Sequence, residues 1–384
     1  MSFKSRVKYL QKVIRWGISY PSTGKSTLNI IRDYLNLYKK SGLTLSEYQN
    51  YGFDHQTELF RSTFIGLEER RLYLDVLNPV IYHCCCRNKF MTHKLLEDTG
   101  IRKTDLLCYY QPEGQLVKSI KVSENISDDL SSTLEILRRK NVNKCVVKVT
   151  EGSHGDGVYV VKCIEYSEAD ACLELFDGSK ILLSSVLGKD PLIFESLVQQ
   201  TEQFSKLNDS SVNTVRFMTL LFPDGTAKVM ATFIKIGRAG KCIDNAGSGG
   251  NVDACVDIDT GAICKAIQFD GWKKVTAIDV HPDTGNQLNG VVINRWDAIK
   301  QDVIKFQQAF PYCRAAGWDI AITDEGPVVI EVNDAWDPTG QYFCQKGWRK
   351  EIQECYLAWK KVGKKYSNRG VCNLTKHQIE KLLS

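Results

Sequence analysis

The sequence predicts an α+β fold with a helical N-terminal region. About the first hundred of its 384 residues carry helical signals, and strand-like apolar runs with interspersed helices follow from about Cys145 onward. Such a mixture of strands and helices is typical of α+β proteins. With 43% hydrophobic residues, the chain can form two or three domains with apolar cores, and its composition is not that of a disordered protein.

Capping and turn residues place the first helices. Ser26 is the expected N-cap of a helix that ends at Gly42, and a later helix closes at Asn78 and Pro79. A helix over about residues 89–98 ends at Gly100, after which LLCYY begins the β-structure. The later elements are helices over residues 168–176 and 297–310 and the strands CVVKV, VYVVKC, LIFESLV, TVRFMTLLF, AKVMATFIKIG, GWDIAI and VVIEVN.

Composition and charge exclude several classes of protein. A net charge of +5 on this length does not indicate nucleic-acid binding, no apolar run has the length of a membrane-spanning helix, and no signal-peptide pattern opens the chain. We therefore expect a cytoplasmic protein. The 14 cysteines are scattered, several within apolar runs, and predict reduced core thiols. The run HCCCR at residues 83–87 lacks the separated ligand pairs of a zinc site and is assigned to packing.

The first 32 residues contain no Asp or Glu and seven Lys or Arg residues. Phe3, Val7, Leu10 and Ile14 recur at helical spacing. The segment is either a helix packed on its own protein, which we favour, or a peripheral helix at the inner face of the cytoplasmic membrane, with its apolar stripe inward.

The segment VVIEVNDAWDPTG carries the strongest signal for a functional site. Side chains alternate along a strand, so Glu331 and Asn333 share one face. A hairpin folded near Glu325 and Gly326 would bring Asp319 opposite Glu331, and directly opposed side chains lie about 5 Å apart. Three oxygen donors so placed suit Mg²⁺ at a nucleotide site, although the same residues also fit a solvated face.

A glycine loop between two strands is the second signal. In CVVKVTEGSHGDGVYVV, Lys148 lies near the end of one strand, and Gly152, Gly155 and Gly157 lie in the turn to the next. Glycines let backbone amides approach phosphate oxygens, so this loop either binds phosphate or is an ordinary hairpin loop. YPSTGKST is not a phosphate loop, because Ser19 replaces its first glycine and a helix replaces the preceding strand.

Three further segments place polar residues in or after apolar strands. LIFESLVQQ contains the lone acid Glu195, at the kind of strand end that holds adenine between two lobes. Arg216 lies within TVRFMTLL, and Arg238 ends a strand before a glycine-rich loop that contains Asp244 and Asn245. Arginine binds phosphate or carboxylate through two N–H groups, but a single arginine in a strand is more often part of an ion pair.

Taken in order, these segments resemble the ATP-grasp superfamily, and most closely the sugar-transfer-associated ATP-grasp proteins of bacterial polysaccharide gene clusters. The likeness runs from about Tyr48 to Gly340 and includes NKFMTHKLLEDTGI, KVTEGSHGDGV, FESLVQQ, SSVNTVRFMTLL, GRAGKCIDNAGSGGNVDACVDIDTGAI, HPDTG and GWDIAITDEGPVVIEVND. It implies the ATP-grasp fold, in which two α+β lobes with antiparallel sheets clasp ATP. We then expect a helical region over 1–85, a small α/β segment over 86–145, ATP-grasp subdomains over 146–205 and 206–345, and a helical tail over 346–384.

The resemblance also implies a role for individual residues. Mg²⁺ would be held by Asp319, Glu331 and Asn333. ATP would be bound by Lys89, Lys148, Gly152, Ser153, Gly155 and Gly157 at the phosphates, by Glu195, Ser196 and Leu197 at the adenine, and by Glu202 or Gln203 at the ribose. The catalytic residues would be Arg238, Lys148 and, as a weaker candidate, Arg216. The substrate would meet Arg238, Asn245, His154 and Asp337.

One segment departs from the family pattern. Related proteins commonly continue after the metal-binding Asn through an Asn-Pro-Gly-like turn, whereas this chain continues from Asn333 as DAWDPTG. The acceptor loop, which includes Asp337, is therefore expected to be specialised. His154 and Asp156 are individual features of the glycine loop and either contact substrate or face water.

Enzymes of this superfamily convert a carboxylate and ATP to an acyl phosphate, which an amine then attacks to give an amide. The resemblance implies an ATP-dependent C–N ligase for small-molecule substrates in bacterial surface polysaccharide synthesis. The substrates would be an amino acid and a uronic acid or amino sugar, free or linked to a nucleotide or lipid. Two alternatives stay open, namely a kinase of the same fold that phosphorylates a hydroxyl and a low-turnover nucleotide-binding partner of a glycosyltransferase.

Overall fold

The structure, a computed structural model, describes residues 3–20, 24–112, 125–152, 157–241, 250–270 and 274–362. Its helices are α1 (Phe3–Ser19), α2 (Thr27–Ser41), α3 (Leu45–Asn50), α4 (Glu58–Ser62), α5 (Leu67–Leu77), α6 (Cys84–Arg87), α7 (Lys89–Leu96), α8 (Leu130–Arg139), α9 (Leu183–Val186), α10 (Glu202–Leu207), α11 (Trp296–Ala309), α12 (Gly340–Cys344) and α13 (Arg349–Lys361). A 3₁₀ helix, Val80–Tyr82, precedes α6.

The strands follow the same chain order. They are β1 (Leu106–Tyr110), β2 (Ile126–Ser127), β3 (Cys145–Val149), β4 (Val158–Tyr166), β5 (Ala171–Leu175), β6 (Lys180–Leu182), β7 (Leu192–Glu195), β8 (Thr214–Leu221), β9 (Ala227–Ile236), β10 (Val252–Val256), β11 (Ile263–Asp270), β12 (Lys274–Ala277), β13 (Ala315–Thr323) and β14 (Gly326–Asn333). Within the described ranges, no helix is both long enough and apolar enough to span a bilayer.

The chain divides into two compact units. Unit 1 comprises Met1–Leu77 and Trp336–Ser384, and unit 2 comprises Asn78–Ala335. The outer boundaries expected at residues 85 and 345 therefore fall at Leu77 and Ala335. The boundary expected at residue 145 falls inside β3, because β1 and β2 belong to the same sheet as β3.

Unit 1 is built from helices around buried aromatic side chains. Tyr34, Tyr48 and Phe53 are fully buried, and Trp16 packs edge-on against Tyr48 with ring centroids 5.6 Å apart. These contacts join α1, α2 and α3 and confirm the expected helical N-terminal region.

Helix α2 begins and ends where the sequence predicts. The Ser26 hydroxyl accepts a hydrogen bond from the backbone N–H of Asn29 at 3.3 Å. Gly42 ends the helix with a φ of 59°, and its N–H donates to the Tyr38 carbonyl. This left-handed conformation is one that glycine adopts without the strain a Cβ would cause.

Unit 2 contains two sheets, each of seven strands among the described residues. The first sheet has the order β2-β1-β7-β3-β4-β5-β6 and the second has the order β12-β11-β10-β9-β8-β13-β14. All neighbouring strands pair antiparallel except β1 and β2. This arrangement confirms the α+β class.

Each sheet has its own apolar core. Helix α8 packs on β1 and β2, and its Leu134 and Leu137 are buried with Phe194 of β7. Helix α11 packs on the second sheet, where Trp296 stacks on Phe217 with ring centroids 5.3 Å apart. The cluster at residues 84–86 contributes Cys85 and Cys86 to this second core, as the packing interpretation predicts, and every described cysteine is a free thiol.

The helix expected over residues 168–176 is wrong. Residues Ala171–Leu175 form β5, which pairs with β4 on one side and β6 on the other. Ala171 and Leu173 are buried and Glu174 is only partly buried, so burial alternates with the period of a strand. Hydrogen-bonding partners on both sides override the helical preference of this local sequence. Strands β2, β6, β10, β11 and β12 were also not assigned from the sequence.

The hairpin of β13 and β14 has the register that the sequence predicts. Asp319 pairs with Glu331, and Gly317 pairs with Asn333. The chain reverses between Thr323 and Gly326, which confirms the position of the turn. On its other side, towards the middle of the sheet, β13 pairs with β8, where Arg216 is opposite Asp319.

Alanine substitution at two glycines of the second lobe distinguishes the cost of backbone strain from the cost of a steric clash. Gly261 and Gly290 both have positive φ, but a Cβ on Gly261 would lie 2.4 Å from Cγ of Trp296, whereas a Cβ on Gly290 would meet nothing within 4 Å. We expect Gly290→Ala to lower the free energy of unfolding by about 1 kcal/mol through backbone strain alone. Gly261→Ala should lose a further ~1–3 kcal/mol, because Trp296 has to move.

Urea unfolding of both variants, followed by tryptophan fluorescence, measures the difference. Equal losses in the two variants would contradict the packing of α11 described here.

Candidate functional site

A cavity of ≈ 480 Å³ lies between the two sheets of unit 2. One part of its wall is apolar, with Val146, Val160, Phe176, Leu197 and Ile330. Another part is charged, with Lys89, Lys144, Lys148, Lys235, Glu195, Asp319 and Glu331. A partly apolar cavity with a few convergent charged groups is the usual form of a small-molecule site.

Lys148 and Glu195 form a buried ion pair on adjacent strands of the first sheet. The Lys148 Nζ lies 2.5 Å from Oε2 of Glu195, and Nε2 of His93 lies 2.5 Å from Oε1. The Thr104 hydroxyl donates to the same Oε1 at 3.0 Å. Burial alone would raise the pKa of Glu195, but Lys148 and His93 outweigh it and hold that pKa well below its usual range. The carboxylate is therefore ionised and fixed in place.

Lys89 reaches the cavity from the first turn of α7. The Asn88 side chain caps this helix by accepting from the N–H of Met91 at 3.0 Å. The Lys89 ammonium donates to the Gly152 carbonyl at 2.7 Å and lies 3.8 Å from Oε1 of Glu331. Burial lowers the pKa of Lys89. The lysine thus joins the base of the glycine loop to the β13–β14 hairpin.

Asp319 is held by two cations from neighbouring strands. Nε and Nη2 of Arg216 donate to Oδ1 and Oδ2 at 2.6 and 2.8 Å, and Nζ of Lys235 lies 3.1 Å from Oδ1. Burial opposes ionisation of this carboxyl, but Arg216 and Lys235 outweigh it and lower the pKa of Asp319 to about 2. Arg216 thus forms the ion pair that is usual for a strand arginine, and its predicted catalytic role stays a prediction.

The three predicted metal ligands come together on the hairpin. Nδ2 of Asn333 lies 3.4 Å from Oδ2 of Asp319, and Glu331 is opposite Asp319 with its side chain 38% exposed. In the part of the chain described, no group of three or more His, Cys, Asp or Glu side chains is placed to hold a metal ion. A metal site here would consist of two carboxylates and one amide, all of which offer oxygen donors that suit Mg²⁺.

The predicted hinge residues follow β7 at the edge of the cavity. The Ser196 hydroxyl accepts from the N–H of Asp105 at 2.9 Å, and the Ser196 N–H donates to the Asp105 carbonyl at 3.0 Å. Leu197 belongs to the apolar part of the wall, and Ser196 and Glu195 line the cavity beside it. The structure thus brings the expected adenine contacts together with Lys148.

The structure does not bring Glu202 or Gln203 into this cavity. Glu202 is exposed and pairs with Lys206 at 2.8 Å, and Nε2 of Gln203 donates to the Val292 carbonyl at 2.7 Å. Both line a separate groove, because α10 turns their side chains away from the hinge. A ribose contact through either residue is not supported by this placement. Asp209, Ser210 and Ser211 line the cavity instead.

Arg238 is also engaged outside the cavity. Its Nε and Nη2 each lie 2.7 Å from a carboxylate oxygen of Asp283, and Nη1 donates to the Gly250 carbonyl at 3.1 Å. The hydrogen bonds from Arg238 lower the pKa of Asp283 to about 2. This ion pair fixes Arg238 at the end of β9, and its predicted contact with substrate stays a prediction.

Most of the remaining predicted residues lie outside the described ranges or next to the end of one. Ser153, His154, Gly155 and Asn245 lie outside the described residues, as do Asp156 and Asp244. Gly152 lines the cavity, and Gly157 has a φ of 69° with space for a Cβ blocked by Val149 at 2.5 Å. Asp337 lies in unit 1, where its carboxylate accepts from the N–H of Thr339 at 2.8 Å.

Three functional candidates were missed from the sequence. Lys144 and Lys235 line the cavity, and His93 lies behind Glu195. His93 is four residues after Lys89 and so shares its helical face, which is a signal that the sequence contains. Lys235 is a single cation in an apolar strand, like Arg216, and its partner becomes evident only from the order of the strands.

The first test of this site concerns the charge on Glu195. Glu195→Gln removes the buried partner of both Lys148 and His93, and we expect a loss of about 3 kcal/mol in the free energy of unfolding. Glu202→Gln is the matched control, because Glu202 is exposed, and should leave the free energy of unfolding nearly unchanged. Urea unfolding measures both variants. Similar stability of the two would contradict a buried Glu195 network.

The second test is the pH dependence of stability. The pKa of Asp319 falls from an ordinary value of 3.8 to about 2 on folding, so its ionised form stabilises the fold above about pH 4. This contribution, about 2 kcal/mol, is lost as the pH falls towards 2. Between about pH 5 and 2, Asp319→Asn should therefore lose less stability than the wild type, while the exposed control Asp259→Asn should follow the wild type. Parallel curves for Asp319→Asn and wild type would contradict the ion pairs.

Several solved structures are similar to part of this chain. VanG D-Ala:D-Ser ligase from Enterococcus faecalis is 12% identical with a TM-score of 0.39, covering 76% of this chain and 64% of that chain. Biotin carboxylase from Campylobacter jejuni is 9% identical with a TM-score of 0.41, covering 74% and 48%. D-alanine–D-alanine ligase from Bacillus anthracis is 14% identical with a TM-score of 0.37, covering 74% and 72%. The chain thus spans less than two thirds of the first two proteins.

No curated protein matches the sequence. The family described as sugar-transfer associated ATP-grasp matches residues 68–355, which is more than half of the chain. The two lobes of unit 2, each built on a largely antiparallel sheet, are the arrangement expected of that family. The chain has the ATP-grasp fold and belongs to the sugar-transfer associated ATP-grasp family.

Proposed function

We propose that this protein is an ATP- and Mg²⁺-dependent carboxylate–amine ligase that forms an amide through an acyl phosphate. One observation carries the proposal: of the four lysines that line the cavity, three each lie near a carboxylate. Lys148 pairs with Glu195, Lys235 pairs with Asp319, and Lys89 lies near Glu331. The substrates we propose are an amino acid and a uronic acid or amino sugar of bacterial surface polysaccharide synthesis, and only the family description supports the sugar.

The lysines suit the phosphates of ATP. Their ammonium groups come from α7, from β3 in the first sheet and from β9 in the second, so they reach the cavity from both lobes. Positive groups fixed around a transferring phosphoryl group stabilise the charge that spreads over its oxygens. The apolar wall near Leu197 suits the adenine, and the strand end at Glu195 places backbone groups beside it.

Asp319, Glu331 and Asn333 would hold Mg²⁺, which when bound neutralises charge on the phosphate oxygens. The half-exposed Glu331 is accessible to an ion, whereas Asp319 already accepts hydrogen bonds from Arg216. The positive charges of Arg216 and Lys235 oppose the binding of a metal ion near Asp319 until a polyphosphate is present. We therefore expect the metal to bind tightly only together with the nucleotide.

The proposed reaction has two steps. A carboxylate oxygen of the first substrate attacks the γ-phosphorus, and the bond to the leaving ADP breaks. The nitrogen of the amine then attacks the acyl carbon, loses a proton, and displaces inorganic phosphate. The fixed lysines would hold the phosphate groups in line for the attack.

A substrate matrix tests the proposal. Purified protein receives ATP and Mg²⁺ with pairs of amino acids, uronic acids and amino sugars, free and nucleotide-linked, and phosphate release and product mass are measured. A ligase gives a product lighter by one water than its two substrates, and only when both are present. A product heavier by one phosphoryl group, formed from a single alcohol, would contradict ligation and identify a kinase.

A single substitution tests whether the protein turns over ATP at all. Glu331→Gln should lower kcat by roughly 10²-fold or more while nucleotide binding persists, because the amide cannot supply the ligand charge. Glu325→Gln, in the exposed turn of the same hairpin, is the matched control and should leave kcat unchanged. Unchanged turnover in Glu331→Gln would contradict the proposed role of Glu331. A wild type that binds ATP without turnover, together with full cellular activity of Glu331→Gln, would favour a nucleotide-binding partner over an enzyme.

A further inference from the structure

Helix α1 packs on the rest of unit 1 through one side of its described residues. On that side, Val13 is fully buried, and Trp16 packs against Tyr34 with ring centroids 5.2 Å apart. Gly17 lies so close to α2 that a Cβ there would be 2.4 Å from Cγ1 of Ile31. This close approach and the aromatic contacts set the rotation of α1, so its opposite face is presented in a defined orientation.

An apolar stripe lies along another side of α1. Val7, Leu10, Ile14 and Ile18 are 40%, 49%, 42% and 70% exposed. Their spacing of three, four and four residues places them in one row along the helix. Four large aliphatic side chains exposed in a row on one helix are more than the scattered apolar residues of an ordinary surface.

The surroundings of the stripe are basic. Lys8, Lys12 and Arg15 are exposed and share a neighbouring face of α1. The first 32 residues contain seven Lys or Arg and no Asp or Glu. This charge opposes the pairing of α1 with α1 of a second copy, because the lysines would face each other, and it attracts an anionic surface.

We propose that the stripe of Val7, Leu10, Ile14 and Ile18 binds the surface of an anionic lipid bilayer, with the basic face at the headgroups. A helix with an apolar stripe and Lys or Arg beside it lies in the plane of such an interface. Apolar burial and attraction to anionic lipid both favour this position, and each lysine adds to the second. The two alternatives for this segment are thus compatible, because one side of α1 packs on the protein while another side is free for the bilayer.

Vesicle binding of the full chain tests the proposal. The protein is sedimented with vesicles of phosphatidylcholine alone or mixed in equal parts with phosphatidylglycerol. We expect binding to the mixed vesicles only. Leu10→Gln with Ile14→Gln should lower the partition constant roughly tenfold or more, because two side chains no longer enter the bilayer. The control Leu72→Gln changes a leucine that is 66% exposed on α5 of the same unit and should bind like the wild type.

A second pair of variants tests the charge without touching the stripe. Lys8→Gln with Lys12→Gln should weaken binding to the mixed vesicles, and high salt should remove the difference from wild type. Lys162→Gln with Lys305→Gln removes the same charge from exposed sites in unit 2 and should have little effect. Circular dichroism and thermal unfolding confirm that each variant is folded.

Three results would overturn the proposal. The wild type fails to bind the mixed vesicles, or both control variants lose as much binding as the α1 variants. Alternatively, sedimentation without lipid shows a dimer that Leu10→Gln with Ile14→Gln dissociates, which would assign the stripe to a second copy of the chain.

Discussion

The Asp319 carboxylate, buried between Arg216 and Lys235, is the interaction on which the rest of the site depends. A buried charge is costly unless it is paired and hydrogen-bonded, and here the partners come from the two strands beyond β13 in the sheet. The pairs therefore require the correct order and register of β9, β8 and β13. The same register places Glu331 and Asn333 beside Asp319. The three predicted metal ligands are thus placed by the folding of the sheet.

The first sheet also contains a buried carboxylate that is paired with cations, on the opposite wall of the cavity. Lys148 and Glu195 lie on β3 and β7, and His93 from α7 holds the second oxygen of the carboxylate. On each wall, a buried carboxylate thus pairs with a lysine. This ion pair keeps the lysine ammonium group in place without a ligand. Such preorganised charge costs no rearrangement when a phosphate group develops charge during transfer. A polyphosphate would also offset the positive charge that surrounds the proposed metal ligands.

The sequence predicts features that depend on local patterns. Alternation along β13 and β14 with the turn between them was sufficient to place Asp319 opposite Glu331, and Ser26 and Gly42 marked the ends of α2. Features that depend on neighbours far along the chain were not predicted. The partner of Arg216 could not be predicted without knowing that β8 pairs with β13. The sequence of β5 favours a helix, and it forms a strand because β4 and β6 pair with it. Gln203 is a further example, because the side to which its side chain points depends on the orientation of α10 after the hinge.

We propose above that the cavity between the two sheets binds ATP with a divalent metal. The most direct test is a crystal structure with a non-hydrolysable ATP analogue and Mn²⁺, whose anomalous scattering locates the ion. We expect the triphosphate among Lys89, Lys148 and Lys235, with Mn²⁺ coordinated by Glu331 and Asp319. A nucleotide in the separate groove lined by Gln203 and Arg295, or an ion away from both carboxylates, would contradict it.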